Sequence, residues 1–315
     1  MTTQQFLTSA WIWQSAVIAL CVVALAGYAR LTRFQFSARS LFLLAAVLVL
    51  FLALASPIAV LANGYLFSAH MLQHLLLQLI VPPLVLLSFR PSGFGLRPSH
   101  TSFNPLTAIL RRPLLTWFLG LGAMWLWHVP SLCSASATNT WVHLLQGVSL
   151  LVMGTAFWWP IIGPARSMWL PPLTGVLYLF SACVGCTILG IILTFAPLGV
   201  CPVFHHPVDR LGILPLLRDD WGLSPARDQQ LGGLLMWVPP CFVYMCGIFG
   251  LLARWYSGPD PELAASPALE AETEHCALAP AHSLEAFGSP GWVGTPRRGV
   301  HSRTTTDPSA RRPYQ

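Results

Sequence analysis

The chain has 315 residues, 55% of them hydrophobic and only 9% charged, with a mean hydropathy of +0.62. Soluble domains carry about 25% charged residues, so this composition excludes an ordinary globular enzyme and indicates a polytopic membrane protein. All 17 basic residues are Arg, and the 11 acidic residues all lie at or after Asp209; the net charge of +6 then reads as a topology signal beside membrane spans, not as a nucleic-acid footprint.

Seven apolar segments are long enough, or nearly so, to cross roughly 30 Å of hydrocarbon. The first covers residues 11–29. No basic region precedes it, so it reads as a retained span rather than a signal peptide. The second covers 40–62, with Pro57 kinking or ending it. The third covers 66–87, and its Pro82-Pro83 must disturb the helix, because neither ring donates a backbone hydrogen bond. The fourth runs from Pro113, a good first helical residue, to His128, where Pro130 stops it. The fifth covers 141–160 and closes on the interfacial aromatics Phe157-Trp158-Trp159. The sixth covers 171–196. The seventh covers 230–253, with Pro239-Pro240 as a kink.

Together they predict an all-α bundle of seven transmembrane helices over residues 1–256. Beyond it, 257–315 is rich in Pro, Ala, Ser, Gly, Glu and Arg without helical period, and is expected to be a disordered cytoplasmic tail. Its His275, His282 and His301 are read as incidental.

Loop charge alternates. Arg30, Arg33 and Arg39 follow the first span, Arg90, Arg97, Arg111 and Arg112 the third, Arg166 the fifth and Arg254 the seventh, while the loops after spans two and four carry no formal charge. The positive-inside rule then puts the N-terminus outside and the C-terminus in the cytoplasm. Eight cysteines are scattered without a compact disulfide framework. In this topology Cys133 and Cys201 face an oxidising compartment, where a bridge between them is one open pairing.

The polar residues inside the spans carry the chemistry. His70 and His74, at i and i+4 in Ser68-Ala-His70-Met71-Leu-Gln73-His74, share one helix face, and ionisable groups within a bilayer usually mark a site. Span three enters from outside, span four ends outside at His128, span five begins outside with His143 in its first turn, and Asp228 precedes span seven at the same side. Neutral imidazole binds copper, zinc or iron, and thioethers from Met71 and Met124 shift the preference towards Cu(I). Asp228 either ligates the metal, fixes an imidazole tautomer or caps span seven. Gln73 has the same tautomer-fixing option. Cys183 and Cys186, mid-span in the sixth segment, are either small buried residues or a soft-metal pair. His205-His206 reads as an exposed loop pair.

The order His-Met-Leu-Gln-His with a following Pro-Pro, then Trp-Leu-Trp-His-Val-Pro, Trp-Val-His, Phe-Trp-Trp-Pro and Asp-Gln-Gln-Leu-Gly-Gly-Leu-Leu-Met-Trp-Val-Pro resembles the polytopic CtaG family. These are seven-span cytochrome c oxidase assembly proteins first associated with caa-type oxidases. The likeness covers residues 10–255; the Cys183/Cys186 pair and Cys133 depart from it. It implies a non-enzymatic metallochaperone in the bacterial cytoplasmic (inner) membrane. Its partners would be haem–copper oxidase subunits, the lipid bilayer and an external copper donor, with no nucleic acid. The positions carried over by motif are His70, His74, His128, His143 and Asp228. Two other classes stay open on the residues: a haem-binding redox subunit with axial histidines, and a copper transporter.

Overall fold

A computed structural model describes residues 2–13, 15–33, 37–89, 105–197 and 199–257. Every regular element among them is helical, and they lie within one compact unit, Met1–Gly258. The expected tail from residue 258 onward, with its three histidines, and Arg90 and Arg97 of the charge pattern lie outside the described residues.

In chain order the helices are α1 (Thr3–Ser9), α2 (Ser15–Leu31), α3 (Ser40–Ala55), α4 (Pro57–Ala62), α5 (Phe67–Leu75), α6 (Val81–Ser88), α7 (Pro105–Leu110), α8 (Pro113–Trp127), α9 (Pro130–Thr138), α10 (Thr140–Ile162), α11 (Pro172–Phe195) and α12 (Pro225–Tyr256). Four stretches are long and apolar enough to cross a membrane: Phe67–Ser88, Thr140–Ile162, Pro172–Phe195 and Pro225–Tyr256. Ser15–Leu31, Ser40–Ala55 and Pro113–Trp127 are apolar but shorter. The outer faces fit such a setting. On α11, Leu173, Leu177, Phe180, Val184, Ile188 and Phe195 form an exposed apolar stripe at helical spacing.

Proline sets most of the breaks. Pro57 ends α3 and starts α4, with the Ser56 hydroxyl accepting from Ile58 N at 3.2 Å. Because Pro57 has no N–H, the Ala53 carbonyl four residues earlier loses its helical donor. The Gln73 amide supplies one instead, at 2.9 Å. Nearby, the Ser56 hydroxyl donates to Leu52 O at 2.5 Å, and Ile12 N donates to Ala55 O at 2.8 Å.

The disturbance expected at Pro82-Pro83 takes the form of a π turn over Leu76–Ile80, so the third span stays continuous through Ser88. A proline ring crowds the carbonyl four residues before it, which for Pro82 is that of Gln78. That carbonyl is turned onto α10 at Gly154, where any side chain would strike it. Pro130 likewise stops α8 and begins the short α9, within the stretch that the apolar pattern predicts as the loop after the fourth span.

The seventh span begins five residues earlier than expected, at Pro225, because Ser224 caps it (Arg227 N donates to its hydroxyl at 3.3 Å) and Pro225 occupies the first helical position. Pro239 and Pro240 are carried inside the helix. Asp228 therefore sits in the first turn of α12, not ahead of it. The segment before α12 is also not bare loop. It holds turns at Pro202–Phe204 and Leu216–Asp220, and Ile213, Leu216 and Leu217 pack with Phe6, Leu61 and Tyr65.

The two ends of the bundle differ. One carries the Arg-bearing turns: the Arg39 guanidinium donates to Phe89 O at 3.0 Å, and Arg254 lies 4.7 Å over the Trp169 ring while donating to Leu170 O at 3.1 Å. The other carries α1, α4, α9 and the 199–224 segment, the last two joined by a disulfide between Cys133 and Cys201.

Candidate metal centre

The second of those ends holds the histidines. His70 and His74 stand on one face of α5, their ring centroids 4.5 Å apart. His128 caps the C-terminus of α8, 5.4 Å from the His74 ring. His143 lies in the first turn of α10, whose start is fixed by Asn139 accepting from Trp141 N and Val142 N at 2.9 and 3.3 Å; its ring is 6.0 Å from that of His70. Three helices thus bring four imidazoles into one chain of near contacts, as the topology predicted.

Burial makes the group unusual. His70 and His74 are 0% and 1% exposed, yet none of their four ring nitrogens has a hydrogen-bond partner. The Ala62 backbone lies near His70 and the Gln146 side chain near His74, neither within hydrogen-bond geometry. A buried polar atom without a partner costs about 1–3 kcal/mol, so four of them on adjacent rings are not explained by packing. Gln146, one turn after His143 and itself buried beside His74, also has an unpartnered amide nitrogen.

His128 is oriented more tightly. Its Nδ1 lies 2.6 Å from Met124 O, and because a carbonyl only accepts, Nδ1 carries the proton. In the neutral ring Nε2 then presents a lone pair, and it faces Met71 Sδ at 3.0 Å. A thioether has no proton to give. Two soft lone-pair donors from α5 and α8 thus converge, an arrangement suited to a shared soft cation. Met71 is where the sequence placed it, beside the rings. Met124 contributes its carbonyl, while its side chain packs with Met71, Phe67 and Phe204.

Asp228 is drawn elsewhere. Its carboxylate accepts from Phe67 N at 2.8 Å, from Ser68 N at 3.0 Å and from the Ser68 hydroxyl at 2.6 Å. It therefore caps α5 from the neighbouring helix instead of capping its own or reaching the rings. The surrounding motif has two faces. Asp228 and Gly232 face α5, where any side chain at Gly232 would strike Phe67. Gln229 and Gly233 face α11: the Gln229 amide donates to Ala196 O at 3.0 Å, and a side chain at Gly233 would strike Thr194. Asp228 is a positioning residue that holds the histidine helix at its depth.

Gln73 also points away from the rings, to Ala53. Cys201, tied to Cys133, begins the turn carrying Phe204, whose ring lies 5.4 Å from His70 and covers it. Phe204 and Gln146 were not singled out in the sequence; the spacing of Gln146 from His143 was the one signal available. His205 lines a small recess with Phe204, Asp228 and Gln229, apart from the four rings, and His206 is exposed. Among the described residues no three His, Cys, Asp or Glu side chains form a ready-made metal site; the His–Met junction is the point of closest approach.

Fold and site define a helical membrane protein with a buried, unsatisfied histidine cluster near one end. Residues 19–258 match the family of cytochrome c oxidase caa3 assembly factors, and the chain belongs to that family. It is also similar to uncharacterised proteins of Mycobacterium leprae, at 26% identity, and of Mycobacterium bovis and Mycobacterium tuberculosis, each at 25%. Each match covers 60% of this chain and 30% of the relative, so the chain corresponds to under a third of those proteins. No solved structure matches.

Proposed function

We propose that this protein is a non-catalytic factor in haem–copper oxidase maturation that takes up Cu(I) at the histidine cluster and passes it on as cargo. The observation that carries the reading is the set of four buried, partnerless nitrogens on His70 and His74, beside the Nε2–Sδ junction of His128 and Met71. A soft cation seated at the His128 Nε2–Met71 Sδ junction gives those two lone pairs a partner and offers one to the unprotonated nitrogen of the neighbouring His74 ring, and histidine with thioether is a donor set that favours Cu(I). His143, half-buried, is the outermost ring and the first to meet an arriving ion. Neutral donors leave the ion exchangeable, which delivery to an oxidase subunit requires.

Two features support placing the histidine end on the outer side of a bacterial cytoplasmic membrane. The described arginines before Asp209 gather at the opposite end, as cytoplasmic turns do. The Cys133–Cys201 disulfide lies at the histidine end, and disulfides persist in oxidising compartments.

The test is metal content. The purified chain should hold about one Cu(I) at this cluster, lost in the His70→Ala, His74→Ala variant. Equal copper in both proteins rejects the site. A Soret band that vanishes with His74→Ala would replace copper by haem.

A further inference from the structure

A second group of soft ligands lies away from the histidines, halfway along the two longest helices. Cys183 and Cys186 are one turn apart on α11, and Cys241 and Tyr244 are one turn apart on α12. The two pairs face each other: Cys183 Sγ is 3.4 Å from Cys241 Sγ, and Cys186 Sγ is 3.6 Å from the Tyr244 hydroxyl. The Thr187 hydroxyl lies 3.5 Å from Cys241 Sγ. All three thiols are free. The other free cysteines among the described residues behave differently: Cys21 packs with Val17 and Ala55, and Cys246 is exposed.

We propose that Cys183 and Cys241, with Cys186 one turn on, form a second binding site for a soft monovalent cation, Cu(I) or its analogue Ag(I). Thiol sulfur selects such ions over hard divalent cations. Charge favours a monovalent guest. When the ion binds, one thiol gives up its proton to the ligand that the ion leaves, and the other sulfurs donate as neutral thiols. One positive charge enters and one leaves, so the site keeps its net charge, as a low-dielectric setting demands. No electron is transferred. Cys186 is buried against Tyr244, while Cys183 and Cys241 are half-buried beside Val184 and Phe242, which belong to the outward apolar faces of α11 and α12. The site uses α11 and α12, whereas the histidine rings use α5, α8 and α10, and either can fail without the other.

The experiment uses the full chain in detergent, without oxygen, carrying His70→Ala and His74→Ala. Titrated with Cu(I) against a competing chelator, it should retain about one ion per chain, with sulfur-dominated X-ray absorption. Adding Cys183→Ser and Cys241→Ser should remove that ion. Absence of Cu(I) from the histidine variant, nitrogen-only coordination, or indifference to the serine substitutions overturns the proposal. A measurement on the unaltered chain guards against misfolding. Ag(I) should slow maleimide labelling of Cys183 and Cys241 by about tenfold or more while leaving Cys246 unchanged, read by mass spectrometry. Equal slowing at all three, or none, overturns it.

Discussion

The third span carries two kinds of buried polar residue, and the structure treats them in opposite ways. Gln73 and Gln78 are spent on backbone: one amide fills the gap left at Ala53 by Pro57, the other donates to Gly120 O at 2.6 Å, leaving only its own carbonyl oxygen over. His70 and His74, on the same span and equally buried, are given nothing. Polar burial by itself is thus no sign of function; what sets His70 and His74 apart is that every polar atom of two adjacent rings is buried without a partner, whereas Gln78 leaves over only one of its two.

The strongest way to break the contrast is to remove what holds the span in place. Asp228→Ala deletes three hydrogen bonds to a carboxylate and leaves two buried N–H groups open, so the chain should lose about 3 kcal/mol or more of stability, with copper binding lost alongside. Thermal denaturation in detergent measures the first and metal analysis the second; a variant as stable as the parent would refute the capping role. Gly154→Ala presses a methyl group on the Gln78 carbonyl at the π turn and should cost about 1–3 kcal/mol as overpacking does. Normal stability there would mean the turn relaxes freely.

The sharper pair compares the two residue types directly. Gln73→Leu leaves the Ala53 carbonyl without a donor and should cost about 1 kcal/mol while leaving copper binding intact. His74→Leu removes two unpartnered nitrogens, so the metal-free protein should be as stable as the parent or slightly more, yet bind no copper at the cluster. If the two variants behave alike in both assays, glutamine and histidine are equivalent and the functional reading of the rings fails.

Much of this was readable in local pattern. The apolar runs marked where the long helices lie, four of them long enough to cross a membrane, and i, i+4 spacing put His70 and His74 on one face. Where boundaries moved, turn chemistry explains it: Ser224-Pro225 began α12 early, and Pro130 began a helix as well as ending one. The convergence of His128 and His143 on that face followed from counting alternating spans. The role of Asp228 did not follow, because capping one's own helix and capping a neighbour's use the same residue in the same place. The thiol group was half visible: Cys183 and Cys186 share a helix, but nothing in the chain near Cys241 announces that it faces them.

The amino-acid sequence by itself determined the helices, their apolar outer faces and which side chains share a face, since these depend on residues a few positions apart. Only the tertiary structure decided which faces meet and at what depth. Hydrogen bonds and ligand contacts between helices depend on rotation and offset to within an ångström or so, and those are set by glycine contacts such as Gly154 and Gly232 and by caps such as Asp228. That is why Met71 finds His128 and Cys241 finds Cys183, while Gln73, beside the histidines in the chain, serves only the backbone of α3.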